Sequence, residues 1–213
     1  LPVPQVQWSE ERMRRVMSFF PVVGLIEGIL FGGWLFLSQN CFGFSRMTSV
    51  LWGAAIPLLV TGGIHMDGFM DTMDALCSWG DREKKLQILK DPHLGAFAVI
   101  AALGYSLLYV GALYQLCETI QETSRLWAYS LPVAFLVTER AFSGLSVVSF
   151  PSAKKDGLAA TFAKAAAKKK DRHVLILWLV LVPLIFGGLQ GKKAFSFRLF
   201  LHGNLRFPLR RKF

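Results

Sequence analysis

Five apolar stretches, each close to the length of a membrane-crossing helix, dominate this sequence. They cover residues 17–37, 47–64, 95–116, 126–150 and 174–189. A helix needs about 20 mainly apolar residues to cross the hydrocarbon core of a bilayer. We therefore predict an all-α polytopic bundle of about five to six transmembrane helices, forming a single membrane domain over residues 1–213.

The composition also favours a membrane protein. Hydrophobic residues make up 53% of the chain and charged residues 18%, whereas an average soluble domain has about 25% charged residues. The formal net charge of +10 is typical of basic loops that face an anionic lipid surface, so we expect no nucleic-acid partner. The three cysteines are too widely spaced for a zinc site or a disulfide framework.

Lysine and arginine are concentrated before the first stretch and in two long polar loops, residues 65–94 and 151–173. The positive-inside rule places such segments in the cytoplasm. The segment after the fifth stretch is also strongly basic, although five crossings would put it outside. The rule therefore orients the first four stretches consistently and fails at the C-terminal end.

Three aspartates, Asp67, Asp71 and Asp74, follow the second stretch at intervals of four and three residues. On a helix they fall within about 60° of one another, where like charges repel. Either water solvates this acidic ridge or a cation binds it. Residues 62–81 contain no lysine or arginine, and carboxylates near hydrocarbon are costly unless they bind something. Oxygen ligands suit Mg²⁺, which completes its shell with water and substrate phosphate.

We expect Asp67 and Asp71 to bind Mg²⁺, and Asp74 either to complete the metal shell or to accept the proton of an attacking hydroxyl. His65 is the alternative base; otherwise it is a hydrogen-bonding histidine at the membrane interface. On a continuous helix His65 points about 160° away from Asp67. Gly63 and the glycine before it either break the helix and admit a ligand or serve packing.

The basic residues of the two loops are the expected phosphate contacts. Arg82, Lys90 and Lys154 lie on the same predicted side of the membrane as the aspartates, and cations opposite a metal suit a phosphate substrate. Each is alternatively a marker of topology alone. Asp91 either joins the metal site or caps the N-terminus of the third spanning helix.

Three ionisable residues lie inside predicted spans: Glu27 in the first, and Glu139 and Arg140 in the fourth. Charges at that depth need a partner or a function. Arg140 is expected either to contact a substrate phosphate or to pair with Glu27. Because Glu139 and Arg140 are adjacent on a helix, we expect them not to pair with each other on one face.

Residues 63–75, Gly-Ile-His-Met-Asp-Gly-Phe-Met-Asp-Thr-Met-Asp-Ala, resemble the His-x-Asp-Gly-x-x-Asp-x-x-Asp signature of the cobalamin synthase family, the adenosylcobinamide-GDP ribazoletransferases. Residues 88–97 resemble its Lys-Asp-x-x-x-Gly-x-Phe segment, with His93 where the family more usually has arginine. Residues 20–24 are similar to its Phe-Pro-x-x-Gly, and residues 151–158 to its Pro-x-Ala-Arg/Lys-x-Asp/Glu-Gly. The resemblance covers about residues 1–189.

The resemblance implies a Mg²⁺-dependent enzyme of the last steps of cobalamin biosynthesis. Such an enzyme transfers the adenosylcobinamide phosphate group from adenosylcobinamide-GDP to α-ribazole or its 5′-phosphate and releases GMP. It also implies a multi-pass protein of the bacterial plasma membrane, and the charges of the loops place its active site on the cytoplasmic side; homo-oligomers are an open possibility. A membrane transporter or ion-coupled carrier, and an inactive truncated homologue, are the alternatives.

The last segment, residues 190–213, departs from the family pattern. It contains no acidic residue and no further stretch of spanning length, whereas the family continues with a Gly-rich Thr-Gly-Asp segment and more membrane helix. An amphipathic surface helix is interrupted by Gly203 and Pro208. We therefore predict a truncated or frame-shifted end.

Overall fold

The computed structural model describes residues 10–123, 125–153 and 158–190. All regular structure within these ranges is helical. The helices are α1 Glu10–Asn40, α2 Arg46–Thr61, α3 Ile64–Cys77, α4 Arg82–Ile88, α5 Ala96–Thr123, a short 3₁₀ helix Leu126–Ser130, α6 Leu131–Ser149, α7 Leu158–Ala165 and α8 Lys168–Gln190.

Four of the described segments are long and apolar enough to cross a membrane: Met13–Asn40, Ala96–Thr123, Leu126–Ser149 and Lys168–Gly188. The predicted second span is built differently, because α2 and α3 reach spanning length only together and meet at a bend of 91°. The predicted all-α polytopic bundle is therefore confirmed, with four spans or five if the bent pair counts as one. The predicted end 190–213 lies outside the described residues apart from Gln190, and stays a prediction.

The break between α2 and α3 is made by two consecutive glycines. Gly62 has φ 64° and Gly63 has φ 77°, both in the left-handed region that residues with a side chain adopt only at a cost. The prediction of one helix over residues 47–64 was wrong at its C-terminal end, since α2 ends at Thr61 and Ile64 already begins α3. The alternative that the glycine pair breaks the helix is the correct one.

α1 and α6 form the most intimate helix pair of the bundle. Gly24, Gly28 and Gly32 follow one another at helical spacing on α1, and a β-carbon at these positions would lie 2.3 Å from the Leu136 carbonyl oxygen, 2.4 Å from Val133 Cα and 2.2 Å from the Tyr129 carbonyl oxygen, respectively. Small residues of this kind let helix backbones approach closely inside a bilayer. The short distance between α1 and α6 is therefore possible only because these three positions carry no side chain.

The other helices pack around this pair in two groups. α8 lies against α6 and α1, while α2 connects α1 to α5, which also packs against α3. One apolar core joins these groups at the α1 C-terminal end and contains Phe31, Leu35, Val50, Leu113, Cys117, Ile120 and Ala128. A second cluster, Met17, Val148 and Leu175, lies at the opposite end of α1.

Candidate active site

α3 carries the three aspartates of the acidic ridge. All three lie within Ile64–Cys77, so the helical spacing expected for them is confirmed. Their surroundings differ along the helix: Asp67 is exposed, Asp71 is half-buried and Asp74 is buried. The ridge therefore runs from solvent into the protein, and its members are not chemically equivalent.

Asp74 binds the N-terminus of α5. The backbone N–H of Gly95 donates to Asp74 Oδ2 over 2.6 Å, and that of Ala98 donates to Oδ1 over 2.8 Å. The first N–H groups of a helix have no partner within the helix, and a carboxylate there is also favoured by the helix dipole. Asp74 thus acts as an N-terminal cap supplied from another helix and joins α3 to α5.

Asp91 has a local partner instead. Its Oδ1 accepts a hydrogen bond from the His93 backbone N–H over 2.9 Å and lies 2.6 Å from His93 Nδ1. These two hydrogen bonds hold the pKa of Asp91 below its usual value. The suggestion that Asp91 caps the third spanning helix was wrong, because Asp74 occupies that role from 21 residues away.

His65 lies in the first turn of α3, on the side of the helix away from Asp67. Two residues of helix separate their directions by about 160°, and the His65 ring lies 5.8 Å from the Phe20 ring of α1. The structure therefore does not bring His65 to the aspartates. Gly63, the other predicted residue here, is the left-handed residue that precedes α3, and its carbonyl oxygen accepts a hydrogen bond from the Asp67 N–H.

A magnesium site with few protein ligands fits this arrangement. Within the described residues no group of three or more His, Cys, Asp or Glu side chains is placed to hold a metal ion. Mg²⁺ usually takes only one or two protein carboxylates and keeps water and substrate phosphate for the rest. Asp67 and Asp71, one helical turn apart with accessible carboxylates, match that donor set; Asp74 is already engaged by two N–H groups.

Two of the predicted phosphate contacts lie at the two ends of α4. Arg82 begins α4 and Lys90 follows its end, and both are exposed. α4 packs against α3, with Lys85 Nζ 3.4 Å from the Leu76 carbonyl oxygen near the end of α3. The third predicted contact, Lys154, lies outside the described residues.

Arg140 is held inside the bundle by two glutamates. Its Nη2 donates to Glu27 Oε1 and Oε2 over 3.3 and 3.2 Å, and its Nη1 lies 3.1 Å from Glu139 Oε2. Of the two expectations for Arg140, pairing with Glu27 is the one found. The expectation that Glu139 and Arg140 do not pair was wrong, because the long arginine side chain presents separate nitrogens to each carboxylate.

Two further features were not expected from the sequence. Asp171, in the first turn of α8, is buried and accepts a hydrogen bond from the Ser18 hydroxyl of α1. Its only sequence signal is an acidic residue among the basic residues 168–172. The second feature is a contact between aromatic rings of two helices, since the Phe69 ring of α3 lies 5.5 Å from the Tyr105 ring of α5. Nothing in the spacing of these residues along the sequence predicted the contact.

The sequence matches one family along nearly its whole length. The model of the cobalamin-5-phosphate synthase family matches residues 1–210. The chain is 41% identical to the adenosylcobinamide-GDP ribazoletransferase of Lachnoclostridium phytofermentans over 85% of its own length and 66% of that relative. It is 33% identical to an enzyme of the same name from Clostridium botulinum, over 90% of the chain and 73% of the relative.

A third relative of that name, from Desulfitobacterium hafniense, is 31% identical over 90% of the chain and 75% of its own length. The chain thus spans 66% to 75% of the length of these three curated relatives. No solved structure matches it. The family expected from the α3 motif is confirmed: the chain belongs to the cobalamin-5-phosphate synthase family.

Proposed function

We propose that this chain transfers the adenosylcobinamide phosphate group from adenosylcobinamide-GDP to α-ribazole or α-ribazole 5′-phosphate, releasing GMP. The observation that carries the proposal is the pair of accessible carboxylates on α3, Asp67 and Asp71, in a chain of this family. The relatives bearing the name adenosylcobinamide-GDP ribazoletransferase support the choice of both substrates.

In this reaction a hydroxyl of the acceptor ribose attacks the phosphorus that is attached to cobinamide. A phosphorus–oxygen bond forms, the anhydride bond to GMP breaks, and GMP leaves with the bonding electrons. Such transfers depend on positioning and charge neutralisation more than on covalent help from the protein. Asp67 and Asp71 would hold a Mg²⁺ ion, which when bound would neutralise charge on the diphosphate.

The remaining predicted residues have two proposed roles: some contact the phosphates of the substrate, and Asp74 holds α3 in position. Arg82, Lys90 and Lys154 are the proposed phosphate contacts, because a cation opposite the metal stabilises the charge that develops on the phosphate of the leaving GMP. Asp74 is proposed to fix α3 against α5, and so to orient the two metal-binding carboxylates. The attacking hydroxyl gives its proton to solvent or to an α3 carboxylate, since His65 lies on the far side of that helix.

The proposed location is the plasma membrane of a bacterium, crossed several times, with the α3 aspartates facing the cytoplasm. The basic loops support this orientation. An aromatic group at the C-terminal end of α1 and the start of α2 supports a membrane interface at that end of the bundle, because such rings gather at both membrane interfaces. Its members are Trp34, Phe44 and Trp52, with the two indole rings stacked at 5.8 Å.

The test is a turnover assay on purified protein in detergent. Adenosylcobinamide-GDP and α-ribazole are supplied with Mg²⁺ or with a chelator, and GMP and the corrinoid product are separated by chromatography. We expect equal amounts of the two products with Mg²⁺, and neither with the chelator. Turnover without any membrane gradient also excludes a carrier, whereas a folded protein that releases no GMP under these conditions refutes the proposal.

A further inference from the structure

A group of cations surrounds the point where α8 begins. The Ser18 hydroxyl of α1 donates a hydrogen bond to Asp171 in the first turn of α8, and this contact brings the basic ends of the two helices together. Arg14 precedes Ser18 by one turn and shares its helix face. Six exposed cations lie within about one turn of either residue. We call them the basic rim: Arg14, Arg15, Lys168, Lys169, Lys170 and Arg172.

The α8 cations of the basic rim are not neutralised by acids of the same segment. Residues 158–173 contain one acidic residue, Asp171, which is buried and accepts its hydrogen bond from Ser18. Within the described residues, no ion pair involves the three rim lysines of α8. Lys168 and Arg172 are one turn apart, where like charges repel each other. The start of α8 is therefore stabilised by an anion that binds from outside the protein.

Exposed apolar side chains continue the same helix faces into the membrane. On α8, Ile176 and Val180 share a face with Lys169, and both are exposed. On α1, the exposed Phe19 follows Arg15 by one turn. Both helices are long and apolar enough to cross a membrane. Each therefore presents a cation at the end of its span and, deeper in the bilayer, an apolar surface for acyl chains.

The lysines of α4 have a different environment. Lys84 Nζ lies 3.5 Å from the Trp79 carbonyl oxygen, and Lys85 Nζ lies 3.4 Å from that of Leu76, so both donate to backbone near the end of α3. α4 has 7 residues and is too short to cross a membrane. A cation that only marks the inner side of the membrane acts alike in α4 and α8. A lipid site needs the geometry of α8.

We propose that the basic rim binds the phosphate headgroup of an anionic phospholipid, whose acyl chains lie on the exposed apolar side chains of α1 and α8. A lysine or arginine beside an anionic membrane surface raises the affinity about 5-fold. α8 packs against α6 and α1, whereas α3 packs against α5, so the basic rim and Asp67 belong to different groups of helices. The lipid site is therefore independent of the reaction proposed above.

The test compares two double variants that lose the same charge. Lys168→Gln with Lys169→Gln removes two cations from the basic rim, and Lys84→Gln with Lys85→Gln, in α4, is the matched control. Native mass spectrometry of the full chain in detergent measures the binding of phosphatidylglycerol and of phosphatidylcholine with the same acyl chains. We expect the α8 double variant to bind phosphatidylglycerol at least about 10-fold more weakly than the wild-type protein, and the control to differ from it less than about 2-fold. Phosphatidylcholine binding should be similar in all three proteins.

Photo-crosslinking of the wild-type protein gives a readout that does not depend on the variants. Phosphatidylglycerol with a diazirine on its acyl chain should label α1 and α8 next to the basic rim, at Phe19 and Ile176. Inorganic phosphate should displace the lipid no better than chloride at the same ionic strength. An equal loss of binding in both double variants assigns the attraction to net charge and overturns the proposal. It is also overturned by a wild-type protein without preference for phosphatidylglycerol, by labelling confined to other helices, or by specific displacement with inorganic phosphate.

Discussion

Replacing Gly95 with alanine is a direct test of the link between α3 and α5. A β-carbon at Gly95 would lie 2.5 and 2.6 Å from the two carboxylate oxygens of Asp74, which is closer than non-bonded atoms come. The carboxylate must therefore move away from the N–H groups of Gly95 and Ala98, to which it now bonds over 2.6 and 2.8 Å.

The magnitude follows from the two hydrogen bonds. A hydrogen bond to a charged group contributes about 1.5–3 kcal/mol, and a buried carboxylate left without a partner adds its desolvation cost. Alanine in place of glycine stabilises by about 0.4–1 kcal/mol through the unfolded state where its conformation is compatible. Because the lost contacts are larger, Gly95→Ala should lower the free energy of unfolding by about 2–4 kcal/mol.

Gly104→Ala, on the same helix, provides the matched control. A β-carbon there meets no atom within 4 Å apart from the neighbouring backbone of α5 itself, so the better helix propensity of alanine should stabilise by up to about 1 kcal/mol. Equilibrium unfolding in mixed detergent measures both variants, and hydrogen exchange should show faster exchange at the first turn of α5 in Gly95→Ala alone. Equal stability of the two variants, with an unchanged exchange pattern, would refute the capping role of Asp74.

Three further predictions concern the metal, the topology and the buried charges. Asp67→Asn should abolish GMP release while leaving the unfolding transition in place, because it removes one of the two exposed carboxylates proposed to hold Mg²⁺; wild-type turnover would exclude the metal site. Single cysteines at Lys84 and Lys168, in a chain without its native cysteines, should resist a membrane-impermeant thiol reagent in intact cells, and labelling from outside would reverse the orientation. Arg140→Met should destabilise the protein by about 3–5 kcal/mol, since it leaves Glu27 buried without a partner. Adding Glu27→Gln to that variant should recover part of the loss in the same unfolding assay, and an equally unstable double variant would contradict this account.

Hydrophobic patterning and two glycines were enough to predict much of the fold. Apolar stretches of spanning length gave the bundle, because bilayer thickness fixes helix length. The pair Gly62 and Gly63 indicated a break as one of two alternatives, the other being a packing role, because glycine adopts left-handed conformations without steric cost. The positive φ angles of both residues show that the break is the one that occurs. The ends of α5 and α8 were placed less well: α5 continues to Thr123 and α8 begins at Lys168, where polar residues extend a helix beyond its apolar part.

The site was predicted only as far as local spacing determines it. The helical ridge of aspartates follows from intervals of four and three, but the partner of Asp74 lies on another helix and no local pattern encodes it. The pairing of Glu139 with Arg140 was missed because the angle between adjacent residues on a helix fixes only the direction of each Cα–Cβ bond. The end of a long side chain such as that of arginine can still bend towards its neighbour. Phe69 and Tyr105 look like ordinary apolar positions in the sequence, and their contact exists only because α3 and α5 pack together.

The ion pair between Glu27 and Arg140 has a consequence for the way this protein is made. Its two members are 113 positions apart in the chain, and synthesis runs from the N-terminus. α1 therefore enters the bilayer with an uncompensated carboxyl group and remains so until α6 has been inserted. During that interval, the favourable transfer of the apolar side chains of α1 into the bilayer must exceed the cost of placing the Glu27 carboxyl group there. The arrival of α6 then ends a vulnerable stage of biogenesis, in which the incomplete chain is a natural target for membrane quality control.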